Sequence, residues 1–326
     1  MNYAVIDLGS NTIRLSIYQY EGGKIMTVIK QKEVAGLAGY IKKNRLELDG
    51  IQKACEILTN FRELAMRFVD DEHDIHVFAT ASLRGVANQN QALDMIQQSS
   101  GLLPVVLSGE EEARLDFIGV TSHFSDLKDG LLIDIGGAST ELIRFEDAEP
   151  VQLVSMPIGC LNLYTKFVGE VIPTDNERKR IKKEILDKLN KLKWDTDRIP
   201  DLMIGVGGTV RAARKLSREL FSLPKDQKEM NAAYIKKILE RIRDNKDDIY
   251  LTINKVIPER TSTIYTGLMI LNEAIKKFRC ESILVSDYGI REGYLVDKVL
   301  KEGGAVHVDE DSEHSGLHVQ QGAFMA

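Results

Sequence analysis

Along this chain, short apolar runs closed by glycine turns alternate with longer stretches in which apolar residues recur every three or four positions. Tyr3–Leu8 is an apolar run ended by Gly9-Ser10-Asn11. Ile13–Tyr20 and, after the turn Glu21-Gly22-Gly23, Lys24–Ile29 follow as strand-like runs. Leu48–Val69 sets Ile51, Ala54, Cys55, Leu58, Phe61, Leu64, Ala65 and Phe68 at helical spacing, which predicts an amphipathic helix facing a core. Ile75–Ala79 and Leu103–Leu107 then read as strands, and Gln89–Gln98 and Gly109–Val120 as helices.

The resulting order β-β-β-α-β-α-β-α starts again at Leu131. Strands at Leu131–Asp134, Ser139–Phe145 and Val151–Met156 are joined by the turns Ile135-Gly136-Gly137-Ala138 and Glu146-Asp147-Ala148-Glu149. Helices at Thr174–Trp194, Ala232–Asp244 and Thr261–Phe278 alternate with strands at Leu202–Val206 and Ser282–Ser286. Such a recurrence predicts two copies of one mixed α/β unit facing each other across a cleft. The polar stretch Phe124–Gly130 is the expected linker, giving domains 1–125 and 126–302, with the last helix free to pack back on the first domain. Residues 303–326, with glycines, acids and no period, are expected to form a mobile tail.

Composition narrows the classes. The chain has 326 residues, 43% of them hydrophobic and 28% charged, which is enough apolar material for two cores. A net charge of -6 provides no global basic field, so nucleic acid is not an expected partner and a polyanionic substrate needs a local basic patch. Cys55, Cys160 and Cys280 show no metal-site or redox spacing and are expected to be reduced and buried. The start MNYAVIDLGSN has no leader pattern and no run approaches a membrane span, so a cytoplasmic location away from membranes is expected.

The chemistry concentrates in two matched loops, Asp7-Leu8-Gly9-Ser10-Asn11-Thr12 and Asp134-Ile135-Gly136-Gly137-Ala138-Ser139-Thr140. Each is an acid at a strand end followed by a glycine turn. Glycine lets backbone N–H groups approach phosphate oxygens, and the small hydroxyl residues add donors. Asp7 and Asp134 would lie beside the same phosphates, where a hard cation such as Mg2+ takes carboxylate, water and phosphate oxygens. Singly, either loop is equally a hairpin turn with an Asx-type bond; the repetition favours a phosphate clamp.

With these loops, the chain resembles the exopolyphosphatase and guanosine pentaphosphate phosphohydrolase (Ppx/GppA) family over about residues 3 to 300. The other blocks that carry the resemblance are Ala79-Thr80-Ala81-Ser82-Leu83-Arg84, Ser108 to Leu115 (SGEEEARL), Met156-Pro157-Ile158-Gly159, Gly205-Val206-Gly207-Gly208-Thr209 and Ser286 to Gly293 (SDYGIREG). The resemblance implies two ribonuclease H-like domains of the actin-like ATPase (ASKHA) α/β class. It implies Glu112 as catalytic carboxylate, with Glu141 assisting metal or water. Phosphate binding is implied for Gly9, Ser10, Asn11, Thr12, Arg84, Gly136, Gly137, Ala138 and Ser139, and magnesium binding for Asp7, Asp134 and Glu141.

Several residues read two ways. Glu110, Glu111 and Glu112 all suit a helix N-terminus, yet at about 100° per residue they cannot share one face, and the resemblance selects Glu112. Arg14 faces either the phosphates or solvent. Gly207, Gly208 and Thr209 either receive a nucleotide base or make a tight strand-helix turn. The basic face of the helix around 178–193 is either a solvated surface or a track for a polyanion. Three features depart from the family pattern: Ala138 replaces a third glycine, the stretch from Lys32 lacks the arginine usual before leucine-glycine, and Glu259-Arg260-Thr261-Ser262 lacks the alanine-aspartate usual after the arginine.

The function expected from the resemblance is release of terminal orthophosphate from inorganic polyphosphate, with shorter chains favoured. The alternatives are 5'-phosphate removal from guanosine pentaphosphate and, in another class, a non-hydrolytic alarmone or nucleotide sensor. The expected partners are the phosphorylated substrate, magnesium and a second copy in a homodimer.

Overall fold

The computed structural model describes residues 1–301 apart from 125, 196–198, 200 and 245, so the tail expected at 303–326 lies outside the described residues. The chain opens on an antiparallel meander, β1 (Asn2–Leu8), β2 (Thr12–Glu21) and β3 (Lys24–Val34). Its first hairpin is the candidate loop at residues 9–11, and its second turns on Gly22 and Gly23 at φ 56° and 77°, a conformation that glycine adopts without strain. A small hairpin, β4 (Ile41–Lys42) and β5 (Arg45–Leu46), leads into α1 (Leu48–Ala65). β6 (Ile75–Ala79), α2 (Gln89–Ser100), β7 (Val105–Val106) and α3 (Gly109–Thr121) follow. β6 pairs parallel with β1 and β7 parallel with β6, giving the order β3-β2-β1-β6-β7.

The second unit starts with another meander, β8 (Gly130–Ile135), β9 (Thr140–Glu146) and β10 (Glu149–Met156). α4 (Cys160–Phe167), α5 (Asp175–Leu189), β11 (Leu202–Val206), α6 (Gly207–Phe221), β12 (Glu229–Asn231) and α7 (Ala233–Asp244) come next. The chain closes with α8 (Lys246–Val256), α9 (Ile264–Phe278), β13 (Ser282–Val285) and α10 (Ile290–Tyr294), which a π turn at Leu295–Leu300 prolongs. The sheet order β10-β9-β8-β11-β13-β12 repeats that of the first sheet strand for strand and adds β12 at the edge. The recurrence in the sequence is therefore a recurrence of topology, that of the actin-like α/β fold.

Four helices, α4, α6, α8 and α10, fall outside the predicted elements, and of the predicted helices that at Thr174–Trp194 is the most shortened. α4 has only eight residues, α6 begins on two glycines that read as a loop, and α8 opens on charged residues. α5 stops at Leu189, because Ile181, Ile185 and Leu189 exhaust its buried stripe.

Each sheet packs one face against its own helices. Ile6, Leu8, Leu15 and Ile17 meet α1 and α2, while Leu131, Ile133 and Ile135 meet the helices of the second unit. The opposite faces share α3. Leu115 joins Val5, Tyr18 and Phe78 of the first sheet, whereas Ala113, Phe117 and Val120 join Leu132, Ile143 and Val206 of the second. α10 lies against α3 and reaches the first sheet, where Tyr294 stacks on Phe78 at 4.9 Å between ring centroids. Glycines permit the close crossing: a Cβ at Gly119 would overlap the Gly289 carbonyl, and one at Gly293 the Leu115 carbonyl. α3 is thus clamped from three sides, and its first turn carries Glu112.

Candidate active site

The two loops meet where the sheets face each other. The Cβ direction of Gly137 points at Asn11 and Ser10, 3.3 to 3.4 Å away, so any side chain there would press on the first loop. Behind it, the second loop is held by the start of α4, whose Cys160 and Leu161 amides donate to the Gly136 and Gly137 carbonyls at 2.9 and 2.8 Å. The first loop is fixed in the same way, with the Asn11 and Ser10 carbonyls accepting from the amides of residues 35, 36 and 38. Ala138 does not adopt a positive φ, so the alanine in place of glycine carries no backbone strain.

Between the loops is a cavity of about 90 Å³ lined by Asp7, Gly9, Ser10, Asn11, Thr12, Glu112, Asp134 and residues 135–139, with Gly207 and Gly208 on one side. Gly207, at φ 81°, leaves room for the Asp134 carboxylate, which a Cβ there would overlap. Gly208 in turn leaves room for the Arg260 and Arg14 guanidinium groups. The GVGGT segment therefore works here by close approach. Thr209 is buried and donates its hydroxyl to the Ile135 carbonyl at 2.9 Å, which places it behind the cavity wall.

The capping box decides which glutamate faces the cavity. Ser108 Oγ accepts from the Glu111 amide at 3.1 Å, and the Glu111 carboxylate accepts from the Ser108 amide at 2.9 Å. Glu111 is thus occupied in the cap, Glu110 is exposed, and Glu112 points inward. Burial pushes Glu112 up to about 7, with Arg84 pulling it down and Asp134 and Asp7 pushing it further up. A carboxyl poised near neutrality suits a general base.

Arg84 is placed differently from its expected role. Its Nη1 donates to Glu112 Oε2 at 2.7 Å and to the Leu107 carbonyl at 3.3 Å, and it does not line the cavity. The turn that carries it is tied to the end of β1 by the Ser82 hydroxyl, which donates to the Leu8 carbonyl. Glu141 also sits behind the wall: it is buried, and Ser155 donates to its Oε1 at 2.7 Å. Burial, then Glu112 and Asp134, raise Glu141 well above the usual carboxylate range. Asp116, one turn beyond Glu112 on α3, is fully buried and is raised by the same causes, burial first and then Asp134. Burial likewise raises Asp7 against Arg291 and Arg14, and Asp134 against Arg211 and Arg14.

A second cavity of about 580 Å³ opens beside the first and shares Arg14, Gly208 and Arg260 with it. Arg14, Arg211, Arg260, Arg291, Lys30, Lys32 and Lys215 line it, and of these Arg14 and Arg260 also line the smaller cavity. Burial, then Arg291 and Arg211, lower Arg14 to about 9, and burial and Arg291 lower Arg211. Buried cations that repel one another call for an anion. Arg14 reads two ways in the sequence, and although Arg260 and Arg291 lie in blocks that bear on the family resemblance, nothing local shows that these arginines and Arg211, on four separate elements, converge on one cavity. The basic face of α5 lines neither cavity.

Comparison with known proteins fits this geometry. The profile of the Ppx/GppA phosphatase family matches residues 16–302. A guanosine-5'-triphosphate,3'-diphosphate pyrophosphatase of Vibrio cholerae is 30% identical over 311 residues, covering 91% of this chain. Its counterpart from Photobacterium profundum is 30% identical over 314 residues, covering 92%. The chain spans 59% of the length of either relative. The crystal structure of an Aquifex aeolicus Ppx/GppA family member superposes with a TM-score of 0.74 at 26% identity, over 93% of this chain and 98% of that one. A Cytophaga hutchinsonii exopolyphosphatase superposes at 0.80 with 22% identity, over 94% of this chain and 99% of that one, a likeness of fold. The chain belongs to the Ppx/GppA phosphatase family.

Proposed function

We propose that this protein hydrolyses the terminal phosphoanhydride bond of guanosine pentaphosphate and releases orthophosphate. The observation that carries the proposal is the pairing of cavities. A small polar cavity with Glu112 at its edge suits one terminal phosphate, and it opens through Arg14 and Arg260 into a larger cavity with seven cationic side chains. That volume lies within the range of nucleotide-sized ligand sites, and the names of the Vibrio and Photobacterium relatives support guanosine as the nucleoside.

In this mechanism the loop residues 9–12 and 136–139 hold the terminal phosphate. Glu112 orients a water in line with the phosphorus and accepts its proton, while Arg14 and Arg260 bind the phosphates of the leaving side. Arg84 acts as a positioning residue by fixing the Glu112 carboxylate. Asp7 and Asp134 both line the small cavity and offer carboxylate oxygens that suit a hard cation taking its remaining ligands from water and phosphate. Magnesium held there would neutralise charge on the transferred phosphate.

Phosphate release from guanosine pentaphosphate by the wild type and by Glu112→Gln tests the reading. The variant is expected to lose about 10²- to 10⁴-fold in kcat, and undiminished release would remove Glu112 from the chemistry. Short inorganic polyphosphate is the second reading, favoured by the seven cationic side chains that line the larger cavity.

A further inference from the structure

The larger cavity contains two acids among its seven cations, Glu259 and Asp287. Asp287 pairs with Arg214 at 3.0 Å and has a side chain 46% exposed. Glu259 is more enclosed, and its Oε1 accepts from Lys32 Nζ at 2.8 Å. That ion pair joins the edge strand β3 of the first unit to the turn ahead of α9 in the second. It also joins two of the three places in which this sequence departs from the family pattern.

A carboxylate in the wall of a polyanion site repels phosphate, so phosphate binding gives no reason for one here. It does have a use toward the uncharged end of a nucleotide. An ionised carboxylate is acceptor-only, with about four lone-pair positions on two oxygens. Guanine presents two adjacent donors, N1–H and the 2-amino group, along its Watson–Crick edge, through which an unpaired base is read by hydrogen bonds. The bond from Lys32 occupies one position on Oε1 and, with a local backbone hydrogen bond, fixes the carboxylate, which keeps further acceptor positions for a base. We infer that Glu259 reads the guanine base in the larger cavity, with Lys32 holding it in place, and so makes the site selective for a guanosine polyphosphate over a linear polyphosphate. This inference rests on the guanosine reading proposed above. Glu259 is ionised at neutral pH: burial raises it, but the hydrogen bond from Lys32 leads the effects that leave it below its usual range.

The test compares kcat/KM for guanosine pentaphosphate, for the inosine counterpart that lacks the 2-amino group, and for short polyphosphate. The wild type is expected to prefer guanosine over inosine by about tenfold or more, the value of one hydrogen bond to a charged group. Glu259→Gln is expected to lose about tenfold or more on the guanosine substrate, to shrink the guanosine preference, and to speed polyphosphate turnover because a repelling charge has gone. Asp287→Asn is expected to keep the preference. An equal loss by Glu259→Gln on all three substrates would mark a structural role and overturn the assignment. So would a preference that survives in Glu259→Gln or disappears in Asp287→Asn. A wild type that releases phosphate from polyphosphate alone sinks the guanosine reading and this inference with it, whereas guanosine turnover without base preference sinks the inference only.

Discussion

Replacing Arg84 by methionine separates two accounts of this arginine. Its Nη1 lies 2.7 Å from Glu112 Oε2, and the pair is largely enclosed, at 25% and 12% side-chain exposure. Burial nevertheless pushes Glu112 up to about 7. A hydrogen bond to a charged group contributes roughly 1.5 to 3 kcal/mol, and one pKa unit corresponds to about 1.4 kcal/mol. Losing Arg84 should therefore raise Glu112 by roughly one to two units. The ionised fraction at pH 7 then falls from about a half to roughly 1 to 10%, so kcat/KM falls about 5- to 50-fold there. Because kcat/KM follows the ionisation of the free enzyme, its rising limb should move to about pH 8 to 9 and the loss should be recovered on the alkaline plateau. Phosphate release measured from about pH 6 to 10 checks this. If Arg84 gripped substrate phosphate instead, the defect would appear in KM at every pH. A uniform depression across the profile refutes the positioning account.

Gly207→Ala places a side chain at φ 81° and against the Asp134 carboxylate. It is expected to lower kcat by at least about tenfold while the chain stays folded by circular dichroism, because an active-site displacement of about 1 Å can cost 10²-fold. Gly293→Ala drives a Cβ into the Leu115 carbonyl where α10 crosses α3, and overpacking of this kind destabilises by about 1 to 3 kcal/mol or more, readable as a lower urea midpoint. Asp7, Glu112, Asp116, Asp134 and Glu141 all have raised pKa values, burial being the largest cause in each case, so the folded chain holds more protons than the unfolded one above the usual carboxylate range. For these groups stability falls as pH rises from about 5 to 8. Asp297 opposes them: its hydrogen bond from Arg114 holds it low, and the stability it contributes is lost as pH falls below the usual carboxylate range. Melting temperatures are therefore expected to be higher near pH 5 than near pH 8. Asp116→Asn should flatten that slope and added magnesium should reduce it; stability that climbs steadily toward pH 8 would contradict the acid cluster.

The periodicities alone determined a great deal. Leu48–Val69 could be read as a helix because its apolar residues recur at helical spacing whatever they pack against, and α1 occupies most of it. The second meander could be recognised as a copy of the first because Asp7 and Asp134 each end an apolar strand before a glycine turn, a signal contained within a dozen residues. Among three adjacent glutamates, resemblance to the family selected Glu112, and helix rotation explains why only one of them faces inward. Tertiary structure decided what depends on partners far apart in the chain. Arg84 looked like a phosphate ligand, but its segment is pinned beside α3, where Glu112 takes its guanidinium. Glu141 is buried with its carboxylate bound by the Ser155 hydroxyl and does not line the cavity. Arg14, Arg211, Arg260 and Arg291 stand on four elements and become one cationic cluster only when the two units close on each other. Local spacing sets the form of each element through steric and hydrophobic periodicity. A cavity's charge is a sum over side chains brought together across hundreds of residues, and only the folded arrangement of the two sheets around α3 specifies that sum.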